Sequence, residues 1–240
     1  VPLGKGQREL ILGDTHSGKT PFLIDLIVNQ TKQGTICIYT AVGKPVTAVR
    51  NMMDVLGETG ALKNTVIVAA TSSDASPLIF FTPYSGMSIA EYFQKKGRDV
   101  LIIFDDLGTH AKVYRELALL GGRSPGRQSY PGDIFYTHAR LLERAGKFNE
   151  KNGGGSITAI PMIELSLTDF TGFIPTNLMA MTDGHFIFSA ELYAQGFRPA
   201  IDSATSISRV GRQTQNRLQN LLSQTIRQIL AEASGLETVS

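Results

Sequence analysis

The segment Gly13-Asp14-Thr15-His16-Ser17-Gly18-Lys19-Thr20 fits G-x-x-x-x-G-K-[ST] at every fixed position. That spacing has a specific chemistry. Glycines let the backbone curl so that successive N–H groups converge on phosphate oxygens. The Lys19 ammonium can follow the β- and γ-phosphates of a nucleotide, and the Thr20 hydroxyl can ligate Mg²⁺. Pro21 is tolerable, because a missing N–H in the first turn of a helix costs little. A second chemical element is the apolar run 100–104, which ends on Asp105-Asp106. A carboxylate at the end of a buried strand beside a phosphate loop can hold the water shell of Mg²⁺. Asp105 is assigned that role, through water, and Asp106 the cap of the next helix, where Asp is favoured.

These residues need elements to carry them. Residues 9–12 read as a short buried strand leading into the loop, and 19–31 as a helix with Phe22, Leu23, Leu26 and Ile27 on one face. Strands are expected at 35–40, 65–70, 99–104 and 156–163, the last as the fifth. Helices are expected at 46–56, at 77–95 with an irregularity near Pro83, at 107–120 and at 134–145. A Gly/Arg/Pro-rich loop occupies 121–131. The pattern is short and mixed up to Arg212, and from there to Glu232 a helix carries Leu218, Leu221, Leu222, Ile226, Ile229 and Leu230 on one stripe. Alternating strand and helix patterns predict an α/β fold, a mostly parallel sheet flanked by helices.

Composition narrows the function classes. The chain has 240 residues, 42% hydrophobic and 18% charged, which excludes a disordered chain. Lys plus Arg is 23 and Asp plus Glu 21, a balance of +2 that gives no reason to expect a nucleic-acid partner. The arginines of Arg123-Ser124-Pro125-Gly126-Arg127 therefore read as a subunit-facing loop. Cys37 is the single cysteine, so no intrachain disulfide forms; within an apolar strand it reads as core. His16, His110, His138 and His185 lack metal-site spacing, and no nucleophile elbow is expected. No window reaches the roughly 18 apolar residues of a spanning helix. The first six residues have no signal-peptide layout and no initiator Met, which suggests a processed piece or an excised domain. The last helix, with Arg209, Arg212, Arg217 and Arg227 on or just before it, could read as a membrane-surface helix; docking of its apolar stripe on the rest of the chain is the preferred expectation.

The phosphate loop and the segments around it resemble the central domain of the alpha subunit of F-type rotary ATP synthases. The resemblance covers almost the whole chain. It rests on Gly6-Gln7-Arg8-Glu9-Leu10-Ile11, Val68-Ala69-Ala70-Thr71-Ser72-Ser73-Asp74, Tyr130-Pro131-Gly132-Asp133-Ile134-Phe135-Tyr136 and Thr182-Asp183-Gly184. The stretch Pro199-Ala200-Ile201-Asp202-Ser203-Ala204-Thr205-Ser206-Ile207-Ser208, followed by Arg209-Val210-Gly211, resembles the signature shared by alpha and beta subunits.

The resemblance implies a RecA-like P-loop NTPase core over 1–211 and the start of a C-terminal helical region over 212–240. It implies that Mg²⁺ with ATP or ADP binds without hydrolysis, in a ring of alternating alpha- and beta-type subunits around a central shaft. Such a complex lies peripheral to an energy-coupling membrane, touched only indirectly by this domain. Arg209 matches the arginine lent in trans to the beta site, where a guanidinium stabilises the charge of the transferring phosphate by roughly 10³–10⁵ in rate. Arg198 and Pro199 match positions beside the adenine, and the loop at 121–131 matches one facing the shaft. Against the alpha family the chain is short, without the usual N-terminal β-barrel and most of the helical domain.

Beta subunits carry a glutamate after the second strand; the corresponding residue here is Lys44, and an ammonium cannot deprotonate water at neutral pH. Lys44-Pro45-Val46-Thr47 also replaces the alpha family's Gln-Lys-Arg-Ser, Thr15-His16-Ser17 its Arg-Gln-Thr, and Ala180 a serine that faces the partner's phosphate site. These departures suggest a divergent branch. Two other readings stand beside the alpha-type one: a self-sufficient RecA-like motor ATPase of the termination-helicase or export type, with Glu164 as substitute acid, and a pseudo-ATPase used only for assembly.

Overall fold

A computed structural model describes residues 2–165 and 169–237 of the chain. The strands are β1 (Glu9–Asp14), β2 (Ile36–Lys44), β3 (Thr65–Thr71), β4 (Asp99–Asp105), β5 (Gly146–Lys147), β6 (Ser156–Leu165), β7 (Gly184–Phe188) and β8 (Ile207–Ser208). The helices are α1 (Lys19–Lys32), α2 (Val46–Glu58), α3 (Ser76–Gln94), α4 (Leu107–Leu120), α5 (Ile134–Leu142), α6 (Phe173–Met181), α7 (Ala190–Ala194) and α8 (Arg217–Glu237). The sheet order is β3-β2-β4-β6-β1-β7-β8, with β5 beside β6. The six long strands run parallel; the two-residue strands β5 and β8 pair antiparallel.

Strand side chains alternate between faces, so one apolar run feeds two cores. Leu10 and Leu12 of β1 and Ile102 and Phe104 of β4 pack with α3, α4, α5 and α6 on one face. Ile11, Cys37, Tyr39, Leu101 and Ile103 pack with Leu23 and Ile27 of α1 and Met52 and Leu56 of α2 on the other. A parallel sheet covered on both sides is why these strands read as continuous apolar stretches.

The expected α/β architecture stands, with four local differences. Gly146–Lys147 pairs antiparallel with the strand expected to be the fifth, making it the sixth. Helix α3 runs on through a buried Pro83, with no break in the helix. The mixed region resolves into α6, β7, α7 and β8, elements of two to nine residues that leave little periodicity to read. The last helix starts at Arg217 after a 3₁₀ turn over Gly211–Thr214, and among the described residues its stripe is left exposed at Leu218, Leu221, Leu222, Ile226, Ile229 and Leu230. The side chain of Arg227 lies outside the described residues. Among the described residues no helix is long and apolar enough to cross a membrane.

Glu9 opens β1 with a fully buried side chain, and neither carboxylate oxygen has a hydrogen-bond partner. Burial, then the Asp183 charge, raises its carboxyl from the ordinary 4.5 to about 8. The folded chain therefore holds a proton here that the unfolded chain releases above about pH 4.5. Stability from this group is full below that pH and declines as pH rises through about 8. Comparing wild type with Glu9→Gln by urea denaturation isolates the effect. From pH 6.5 to 8 the wild type is expected to lose stability relative to the variant by about 1.4 kcal/mol per pH unit at most. A constant difference would contradict it.

Candidate functional site

Strand register puts the chemical residues at one end of the sheet. Gly13 of β1 is level with Glu164 of β6 and Phe188 of β7, and Asp105 of β4 is level with Ala41 of β2. All are C-terminal strand ends, where parallel α/β sheets bind ligands. β6 separates the loop strand from the Asp105 strand, so Glu164 lies between them.

The loop turns between β1 and α1 with His16 at φ 59° and Gly18 at φ 87°. A side chain at Gly18 would meet the Tyr193 ring at 2.9 Å, and one at Gly13 would meet the Phe188 carbonyl oxygen at 2.3 Å, so both glycines are required sterically as well as for the turn. Asp14, Thr15, His16 and Ser17 span the bend; the Ser17 hydroxyl donates to the Asp14 carbonyl at 2.7 Å. Lys19 Nζ is buried and donates to the carbonyls of Gly13 (3.0 Å) and Asp14 and to Ser17 Oγ (3.3 Å). Burial lowers its pKa, against the pull of the Glu164 charge. Thr20 opens the helix with an exposed side chain.

Asp106 takes the cap its position suggested, and Asp105 is paired within the protein. Lys44 Nζ lies 2.6 Å from Asp105 Oδ1 and 3.9 Å from Asp106 Oδ2. The Tyr39 hydroxyl donates to Asp105 Oδ2 at 2.5 Å. Burial pulls the Lys44 ammonium down, yet the two carboxylates outweigh it and hold its pKa above the ordinary value. Asp106 caps α4 by accepting the Thr109 N–H, and burial raises its carboxyl. Mg²⁺ favours hard oxygen donors and is usually held by one or two protein groups plus phosphates. The Thr20 hydroxyl and the Asp105 carboxylate are donors of that kind, and the Lys44 ammonium already lies against Asp105 Oδ1.

Arg198 and Pro199 follow α7 across a cis peptide. The Arg198 guanidinium stacks 3.4 Å from the centre of the Tyr193 ring and donates to the carbonyls of Tyr193 and Phe197, each at 2.7 Å. Tyr193 thus joins Arg198 to Gly18. Neither Tyr193 nor Tyr39 was singled out from sequence. The one available signal was a hydroxyl-bearing aromatic, in Tyr39's case inside an apolar run.

Arg209 is not with the others. It is exposed, and its N–H donates to the Asp183 carbonyl at 2.8 Å, beside the start of β7. That start is level with Glu9, four residue steps of about 3.3 Å, or about 13 Å, from Gly13 of β1. The Arg209 backbone is therefore placed at the opposite end of the sheet from its own phosphate loop.

Other groups take structural roles. Cys37 is buried, and burial pushes its thiol up to about 12. His110 and His138, unrelated by spacing, meet at 3.1 Å inside the protein. Arg123 pairs with Asp133 at 2.8 Å. Gly122-Arg123-Ser124-Pro125-Gly126 does match G-x-S-x-G, but it follows α4 as an exposed loop and lacks the strand-to-helix turn of a nucleophile elbow.

A phosphate loop on an inner strand of a mostly parallel, helix-flanked sheet is the arrangement of P-loop NTPases, and this chain has that RecA-like core. Residues 1–208 match the ATP synthase alpha/beta family, nucleotide-binding domain. The chain is 50% identical to ATP synthase subunit alpha of Clostridium acetobutylicum over 97% of its own length and 46% of that protein. It is 49% identical to ATP synthase subunit alpha of Staphylococcus aureus over 99% of the chain and 47% of the relative. The chain belongs to the ATP synthase alpha/beta family, and it spans about half the length of these curated relatives.

Tyr39→Phe keeps the ring and removes one donor to a buried carboxylate. It is expected to cost about 1.5–3 kcal/mol of stability, read as a lower urea midpoint at unchanged slope.

Proposed function

We propose that the chain is the nucleotide-binding domain of an alpha-type subunit of a rotary ATP synthase, one that binds ATP or ADP with Mg²⁺ without hydrolysing it and lends Arg209 to a beta-type site. The observation that carries this reading is Lys44. The position from which a beta-type carboxylate would act on water holds an ammonium ion-paired to Asp105. A cation so held has no lone pair with which to take a proton from water.

In this reading the N–H groups from Asp14 to Lys19 cradle the phosphates. The Lys19 ammonium exchanges its loop carbonyls for phosphate oxygens. Tyr193, Arg198 and Pro199 form the wall beside the base. Thr20 would hold Mg²⁺ directly and Asp105 through water; the ion supplies charge neutralisation when bound. The exposure of Arg209, about a strand length from its own loop, supports a role toward a neighbour in an alternating alpha/beta ring. Residues 1–211 form the nucleotide-binding domain. The exposed stripe of α8 supports reading 212–240 as the start of a helical region with further packing partners. The complex surrounds a central shaft, faced by the loop at 121–131, and sits peripheral to an energy-coupling membrane without this chain entering it.

A self-sufficient motor remains the second reading, because the exposed Glu164 lies level with Gly13 and could serve as the acid. Calorimetry with Mg-ATP, using Lys19→Ala as control, is expected to give binding that the variant loses. Hydrolysis by the chain alone is expected to be negligible; turnover abolished by Glu164→Gln would favour the motor. In a ring with a beta-type subunit, Arg209→Ala is expected to lower hydrolysis by about 10³-fold or more. An unchanged rate would refute the in-trans role.

A further inference from the structure

Lys44 does more than leave the site without a base. The structure gives its side chain a built position. Strand β2 breaks register with β3 between Val42 and Lys44, and Gly43 adopts φ 66° there. The Lys44 carbonyl accepts the Ser72 N–H at 3.0 Å, and Pro45 then restricts the backbone and starts α2. The side chain is thereby sent back over the end of the sheet, where only 18% of it stays exposed. A lysine ordinarily keeps its ammonium in water. This one is held against the carboxylate that the metal's water shell would use.

Both oxygens of Asp105 are then engaged, Oδ1 by Lys44 and Oδ2 by Tyr39. A divalent ion approaching Asp105 meets a fixed positive charge already in contact with it, and like charges repel strongly in a site shielded from water. Two lysines thus converge on the phosphate end of the site. One is tucked onto the loop carbonyls and the other onto the metal-side carboxylate.

We propose that Lys44 is a tethered cation of the nucleotide site: it supplies, from the protein, part of the positive charge that Mg²⁺ would bring, so that the chain binds nucleoside di- and triphosphates with little dependence on Mg²⁺. The inference rests on the nucleotide-binding reading above and adds the determinant of metal dependence. The charge is permanent and needs no metal to be recruited with each nucleotide. It is also less than the charge of the ion it replaces. A site of this kind retains nucleotide when free Mg²⁺ is scarce and gains little when it is plentiful.

The test is equilibrium binding of ADP to the purified chain in excess Mg²⁺ and in excess EDTA. For wild type the two dissociation constants are expected to differ by less than about fivefold, under 1 kcal/mol. Lys44→Gln is expected to widen the ratio beyond about fivefold by weakening the EDTA value. Lys44→Arg, which keeps the charge, is expected to retain the wild-type ratio. A wild-type ratio above about fivefold, or an identical ratio in wild type and Lys44→Gln, overturns the proposal. Should Lys44→Gln not fold, the wild-type ratio decides alone, and a ratio in Lys44→Arg equal to it counts in favour. Failure of the wild type to bind ADP in either buffer overturns the nucleotide reading together with this one. Mg-dependent binding lost in Lys19→Ala, with the Lys44 variants indistinguishable from wild type, overturns this one only.

Discussion

A carboxylate buried at the end of a central strand must be given partners, and much of this site follows from how Asp105 is given its own. With 2% of its side chain exposed, it cannot rely on water. Tyr39 reaches it from the adjacent strand and Lys44 from the bulged end of that strand. Breaking one half of such a buried pair leaves an uncompensated charge, which is far more costly than the pair is stabilising. The cluster therefore ties the end of β2 to the end of β4, at the same end of the sheet as the phosphate loop.

These groups share one end of the sheet because six long strands run in one direction. Parallel strands joined by helical crossovers bring every C-terminal end to one edge, so residues far apart in the chain arrive together. The loop that leaves β1, Lys44 at the end of β2, Asp105 at the end of β4 and Glu164 near the end of β6 share that edge. Arg209 follows the antiparallel β8 and consequently emerges at the opposite edge. One topological fact thus places Arg209 at the end of the sheet opposite the phosphate loop.

Much of this was legible in the sequence where the signal was local. The phosphate loop, the strand before it and the helix after it are a contiguous pattern, and α1, β2, β3 and β4 fall within a few residues of where periodicity places them. Legibility failed where elements were short or partners distant. The strands β5 and β8 have two residues each, too few for any period. The stripe on α8 was expected to find cover, since an apolar face normally does, and the described residues leave it exposed. Tyr193 over Gly18 was invisible because nothing in the spacing of residues 18 and 193 relates them.

By itself the sequence determined the phosphate chemistry, the α/β class and the absence of a carboxylate after the second strand. Each depends on residue type and short-range spacing, which the chain carries wherever it folds. Only the tertiary structure decided that Lys44 fills that absence with a charge aimed at Asp105, that Tyr39 completes the cluster, and that Arg209 leaves on the far edge. Contact between separate strands depends on register and sheet order. Those are set by packing of the whole two-faced core, and no short stretch of sequence contains them.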